Sequence, residues 1–242
     1  MTAAAEAGFV AKSLTLARKD LRVELRARDT LPPMLAFSLA VTLLLAFTLP
    51  GGGRAGAPVR LPFGTVALVD VLAGYLWVTV LFAGLVGFAR TFEVERADGA
   101  VDALLLVPLD RSGLWLAKAL ANLAFVAAVQ ALLLPAFGLL FGLEVARAAP
   151  ELLLVVALVD VGFVAVGTLF ASVAAQTTSR ELMLPILALP ALVPPFVGAF
   201  ELTSTALSSG GFGGAAGWLG LLVVFDVVFV TVGVLAFEFV VE

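Results

Sequence analysis

Residues able to do chemistry fall into two sets in this chain. One is the stretch RTFEVERADGAVDALLLVPLDR, residues 90–111, where Glu93, Glu95, Asp98 and Asp102 crowd within ten residues and a leucine-rich patch follows, stopping at Pro108. The other is three lone carboxylates, Asp70, Asp160 and Asp226, each set inside an apolar run. Neither set is a catalytic constellation. Histidine and cysteine are both absent, so the chain offers no thiolate nucleophile, no imidazole base, no Cys/His zinc site and no imidazole haem ligand. Lys12, Lys19 and Lys118 are the only lysines and none follows a glycine, which excludes a G-x-x-x-x-G-K-[ST] phosphate loop. Any ATP used with this chain is bound by another subunit. The acids are left with docking, hydrogen bonding or the lining of a polar path.

The elements that must position them are membrane spans. Of the 242 residues, 62% are hydrophobic and 13% charged, against about a quarter charged in a soluble domain. That much apolar surface cannot be hidden from water, so the chain is an integral membrane protein. A span needs roughly 20 apolar residues, and six stretches qualify: 31–49, 65–89, 112–142, 152–175, 182–200 and 217–241. The first is not a cleaved signal peptide, because some thirty residues precede it and it ends in LPGGGRAG rather than an A-x-A site. The expected fold is an all-α integral membrane protein with six transmembrane helices over 31–242 and an N-terminal amphipathic interfacial helix over 1–30.

Basic residues set the expected orientation. Lys12, Arg18, Lys19, Arg22, Arg26, Arg28, Arg90, Arg96, Arg111, Lys118 and Arg180 fall on one side of the six spans, and only Arg54, Arg60 and Arg147 on the other. The positive-inside rule then places both termini and the acid-rich 90–111 loop in the cytoplasm. Within residues 1–30, Val10, Leu14, Ala17, Leu21 and Leu25 recur at helical spacing with basic residues around the remaining face. This is the pattern of a helix lying in the membrane surface. The fifth span carries Pro185, Pro190, Pro194 and Pro195, so a kinked or broken element is expected near its outer end. The segment TSTALSSGGFGGAAG after it reads as an uncharged outer loop without a site. Gly138 and Gly142 form a G-x-x-x-G pair that favours close helix contact.

Asp70, Asp160 and Asp226 all lie in even-numbered spans that enter from the outer face, which suggests similar depth in the outer half. A carboxylate there costs about 2.5–3.5 kcal/mol on insertion scales. Such groups face a shared polar chamber, or hydrogen-bond neighbouring helices, or sit shallow enough to reach the headgroups. Asp160 and Asp226 open similar octets, DVGFVAVG and DVVFVTVG, which do not by themselves imply a duplicated fold.

The 90–111 loop has a helical reading. Asp98 can cap a new helix at Gly99, Ala100, Val101, Leu104 and Leu105 then share one apolar face, and Pro108 ends it. A short amphipathic helix flanked by acids suits docking to a soluble protein.

The run ERADGAVDALLLVPLDRSGLWLAKALANL resembles the cytoplasmic loop and third span of ABC-2-type permeases, in its Glu95-x-x-x-Gly99, its leucine patch, its proline and its distal Lys118. With the basic start LARKDLRVELRARD and six spans carrying little soluble mass, the chain more narrowly resembles the CcmB family of haem exporter proteins in cytochrome c maturation. That resemblance implies a non-catalytic permease subunit in the bacterial cytoplasmic (inner) membrane. Its implied partners are a CcmA-like ATPase that binds the ATP, a CcmC-like haem-handling subunit, a small CcmD-like subunit and a CcmE-like haem chaperone. A homodimer within that complex is expected, and nucleic acid is not. No cofactor is expected on this chain itself; haem is handled by the complex. The resemblance also makes the loop an ATPase-coupling element, carried by Glu93, Glu95, Arg96, Asp98, Gly99, Asp102, Leu104 and Leu105. The alternatives are an ABC-2 permease for a drug, lipid or glycan, and an ion-coupled carrier using the three aspartates.

Overall fold

A computed structural model of the chain describes residues 9–49, 58–61, 64–92, 111–177 and 180–240. The first described helix, α1 (Phe9–Ala27), is followed after Arg28 by α2 (Leu31–Thr48). Arg28 takes a left-handed conformation with φ 62°, a terminator more usual for glycine, and Pro32 and Pro33 then start α2 with φ angles already suited to a helix. Strands β1 (Pro58–Leu61) and β2 (Gly64–Ala67) pair antiparallel, Val59 opposite Val66. They deliver the chain into α3 (Leu68–Arg90). The remaining helices are α4 (Arg111–Phe141), α5 (Ala149–Ala175), α6 (Arg180–Ser209) and α7 (Gly217–Val240), the last preceded by a short 3-10 turn.

Six of these helices, α2 to α7, are long and apolar enough to cross a membrane. They form an all-α bundle in which α5 is the most enclosed span and α2 and α7 the most exposed. One end of the bundle carries α1 and the connection from α3 to α4; the other carries the β-hairpin.

Lipid tails are as apolar as leucine, so these helices gain little from burying leucine and must pack closely instead. Glycines make that possible. The ring of Phe163 on α5 seats on Gly84 of α3, and the ring of Phe88 on α3 seats on Gly167 of α5, so each helix places a ring where the other lacks a side chain. The two rings meet edge to face with centroids 4.9 Å apart, and Phe196 of α6 and Trp77 of α3 extend the contact at 5.1 and 5.9 Å. Trp115 of α4 uses Gly233 of α7 in the same way, and Met34 of α2 uses Gly87 of α3.

Three expectations are corrected. The proline-rich span is not broken: α6 runs unbroken through Pro185, Pro190, Pro194 and Pro195 to Ser209. Leu184, Ala188, Leu192, Ala199, Leu202 and Ala206 form one buried stripe along it, whereas Pro190 and Pro194 fall on the exposed side. Packing of that stripe on α5, α3 and α7 holds the helix together through the missing hydrogen bonds. Consequently residues 203–209, read as loop, are its last two turns. Gly138 and Gly142 do not mediate helix contact. Gly138 faces Val145 and Leu143 of the turn that follows α4, and Gly142 makes that turn with φ 66°.

A methyl group at position 167 collides with the Phe88 ring, so Gly167→Ala is expected to destabilise the bundle by about 1–3 kcal/mol through overpacking. Gly220→Ala, at a glycine with open space around it, is expected to be neutral. Thermal unfolding of the detergent-solubilised variants checks the pair; equal midpoints contradict the reciprocal seat.

Candidate functional site

The residues assigned to the coupling loop, Glu93, Glu95, Arg96, Asp98, Gly99, Asp102, Leu104 and Leu105, lie outside the described residues. The two roots of that segment are described, and both lead into one polar cluster. At the end of α3, Thr91 Oγ1 donates to Asn122 Oδ1 of α4 at 3.0 Å. The Asn122 amide in turn donates to Thr168 Oγ1 of α5, also at 3.0 Å. One asparagine thus bridges three helices. One turn towards the start of α4, the Lys118 ammonium lies 3.1 Å from Asp20 Oδ2 of α1 and 6.0 Å from the centre of the Phe92 ring. The ammonium is in ion-pair range of Oδ2, though its geometry makes no directed hydrogen bond to that oxygen. Lys19 flanks the other carboxylate oxygen at 3.5 Å. Thr30, just before α2, donates its hydroxyl to Glu24 of α1.

This pairing sets the rotation of α1. The apolar stripe expected to lie in the membrane surface is split: Ala17 is buried and Leu21 packs on the core, whereas Leu14 is 59% exposed and Leu25 56%. Ser13 is buried beside Ala17, with Asp20 and Glu24 on the same face, turned towards α4. Between them Asp20, Glu24, Thr30, Thr91, Lys118 and Asn122 line a cavity of about 30 Å³, room for about two water molecules. The side chains of Lys118 and Asp20 are only 8% and 13% exposed. A pair so enclosed costs much of its attraction in lost hydration, yet removing one partner strands the other charge.

The structure does not bring the three intramembrane aspartates together. Asp160, about three turns into α5, accepts from Gln130 Nε2 of α4 at 2.8 Å, and both residues are buried. Asp226, about three turns into α7, is buried against Gly162 of α5, and its Oδ1 has no hydrogen-bond partner among the described residues. Positions 160 and 162 point to opposite sides of a helix, so α5 separates these two carboxyls. Asp70 is shallower than expected. The hairpin takes up residues 64–67, which leaves Asp70 in the first turn of α3, where Ser204 of α6 donates to it. Two turns further along α3, Trp77 Nε1 donates to Thr203 Oγ1 of α6 at 2.9 Å. Each aspartate therefore serves a different helix interface.

Sequence reading missed Asp20, Glu24, Asn122, Gln130, Thr168, Thr203 and Ser204 as partners. Asn122 and Gln130 carried a signal, since amides inside an apolar run must be satisfied there. Lys118 was visible only as an orienting charge and a motif position. Thr203 and Ser204 carried none, because their stretch looked like loop. Among the described residues no group of three or more His, Cys, Asp or Glu could hold a metal ion.

Six apolar spans, glycine-seated packing and polar groups paired between helices define a multi-pass all-α integral membrane protein. The model of the family described as CcmB protein matches residues 11–242. The chain belongs to the CcmB family. It is similar to heme exporter protein B of Rhodobacter capsulatus, with 32% identity over 190 residues that cover 77% of this chain and 80% of that protein. It is also similar to heme exporter protein B of Pseudomonas aeruginosa, with 27% identity over 202 residues that cover 82% of this chain and 84% of that protein.

Lys118→Met and Asp20→Asn should each destabilise the protein by about 3 kcal/mol, since each removes one member of a poorly hydrated ion pair. The double variant should recover about 2 kcal/mol of the summed loss. A double-mutant cycle on thermal or denaturant unfolding in detergent measures this. Strictly additive losses mean the pair does not hold α1 to α4.

Proposed function

We propose that this chain is the membrane-embedded, non-catalytic subunit of an ABC-type haem-export system in c-type cytochrome biogenesis. Membership of the CcmB family over residues 11–242 carries the reading. The chemistry of the chain supports it. With no phosphate-binding loop, it depends on a separate ATPase subunit for ATP hydrolysis. With no histidine or cysteine, it leaves haem ligation to other components. Haem is then cargo of the complex, handled by a dedicated subunit and passed to a haem chaperone on the outer side. The wider set of partners, CcmA-like, CcmC-like, CcmD-like and CcmE-like, and a homodimer of this chain, belong to the same proposal.

In this reading the α1 end faces the cytoplasm of a bacterial inner membrane, and residues 93–105 dock the ATPase. The polar cluster supports that role because it lies at both roots of the segment: Thr91 and Phe92 leave α3 within it, and Lys118 is two turns into α4. A push on the segment is delivered to α1, α3, α4 and α5 at once.

Leu104→Asp should abolish co-purification of the ATPase, because it places an unpaired carboxylate in a desolvated contact at a cost of about 2–5 kcal/mol. Reversing Glu93 and Glu95 to lysine should weaken assembly less, by removing complementary charge. Membrane abundance should stay normal in both, and the exposed Ser208→Asn at the opposite end should leave assembly and cytochrome c maturation intact. If the Leu104 variant keeps its ATPase and supports maturation, the segment is only a linker.

Orientation has its own check. A reporter active only outside the cytoplasm should work when fused after Gly211 and stay silent after Gly99. The reverse pattern removes the coupling proposal altogether.

A further inference from the structure

Helix α1 separates its charges. Its two acids, Asp20 and Glu24, lie on the face turned to α4 and are engaged there by Lys118 and Thr30. Arg18, Arg22 and Arg26 stand on the opposite side, exposed, and none forms an ion pair with a carboxylate among the described residues. A helix built only for solvation scatters acids among its bases, where pairs three or four residues apart help it. Here those acids are withdrawn, and a basic arc is left with no ion-pair partner among the described residues. The docking contact fixes the rotation of the helix, so the arc has a fixed direction.

Beside that arc lies an exposed apolar edge. Leu14 and Leu25 fall between the docked face and the arginines, along one line of the helix. Arg28 ends α1 and the first span begins at Leu31. Lys118, to which α1 is tied, is about 10 Å along α4. The helix is therefore held at the level where the spans begin. A guanidinium arc next to a leucine edge at that level matches one environment, the junction of lipid phosphates and acyl chains.

We propose that the Arg18, Arg22 and Arg26 face of α1 is a docking surface for anionic phospholipid headgroups. The guanidinium groups donate to lipid phosphates, and Leu14 and Leu25 enter the acyl boundary. The choice of a lipid over an acidic soluble protein rests on the leucines, which a headgroup-level helix buries and a water-facing one leaves wet. The proposal does not depend on the haem assignment.

The test uses the full chain in nanodiscs of phosphatidylcholine alone or mixed with phosphatidylglycerol, read by amide hydrogen exchange over α1. Phosphatidylglycerol should slow exchange of the α1 amides by roughly five-fold or more, the factor that a single surface arginine contributes. Arg18→Gln/Arg22→Gln/Arg26→Gln should erase the difference, and the matching triple lysine variant should keep most of it. Raised salt should shrink the effect, and α5 amides should be unchanged throughout, reporting intact folding. Equal exchange in the two lipids overturns the proposal, as does lipid dependence that survives in the glutamine variant. If the glutamine variant instead loses a co-purifying soluble subunit with no lipid effect, the face belongs to that protein and the lipid proposal is wrong.

Discussion

The reciprocal seating of Phe88 on Gly167 and of Phe163 on Gly84 is the contact on which the remaining architecture depends. Helices in lipid cannot be driven together by burying leucine, so they rely on close approach and on polar groups satisfied from within. The ring-on-glycine lock brings α3 and α5 close enough for both. Thr168, next to Gly167, then reaches Asn122, and Thr91, three residues after Phe88, reaches the same amide. Further along α5, Asp160 meets Gln130 and Gly162 leaves room for Asp226. The polar pairs of the bundle are placed by an apolar contact.

The two ends of the molecule use polar groups differently. At the hairpin end, Trp77 with Thr203 and Asp70 with Ser204 join α3 to the last turns of α6 by hydrogen bonds between close-packed helices. At the α1 end the bonds converge on a cavity, and one of them is an ion pair between a helix outside the bundle and a helix within it. Hydrogen bonds between tightly packed spans resist movement. An ion pair beside a small polar cavity tolerates a change of geometry more readily, because water can enter and replace part of the lost contact.

Much of the fold was legible in the residues. Six apolar runs of sufficient length dictate six helices whatever they pack against, because backbone groups in a bilayer must bond within their own segment. The absence of histidine, cysteine and a phosphate loop sets chemical limits that no folding can alter. The acid-rich segment and Lys118 carried the resemblance to ABC-2-type permeases; the basic start and the six spans with little soluble mass carried the narrower one to the CcmB family, which the family match bears out.

Contacts between distant residues were not legible, and they decided everything local. Four prolines predict an interrupted helix from backbone chemistry alone, but a buried stripe from Leu184 to Ala206 holds α6 continuous, and only then do Thr203 and Ser204 face α3. The apolar stripe of α1 predicts a helix lying in the membrane surface, but not which of its residues meet the bundle. With Asp20 paired to Lys118, the Ala17 side of the helix turns inward and Leu14 and Leu25 stay outside. Three aspartates at comparable positions in their spans leave one chamber and separate helix contacts equally open; the 200° between Asp160 and Gly162 on α5 sends two of them to opposite sides. Sequence alone determined where the chain crosses the membrane and which chemistries it lacks, because both follow from composition and local bonding. Tertiary structure decided which polar group meets which, because that depends on helix rotation, and rotation is set by partners far away in the chain.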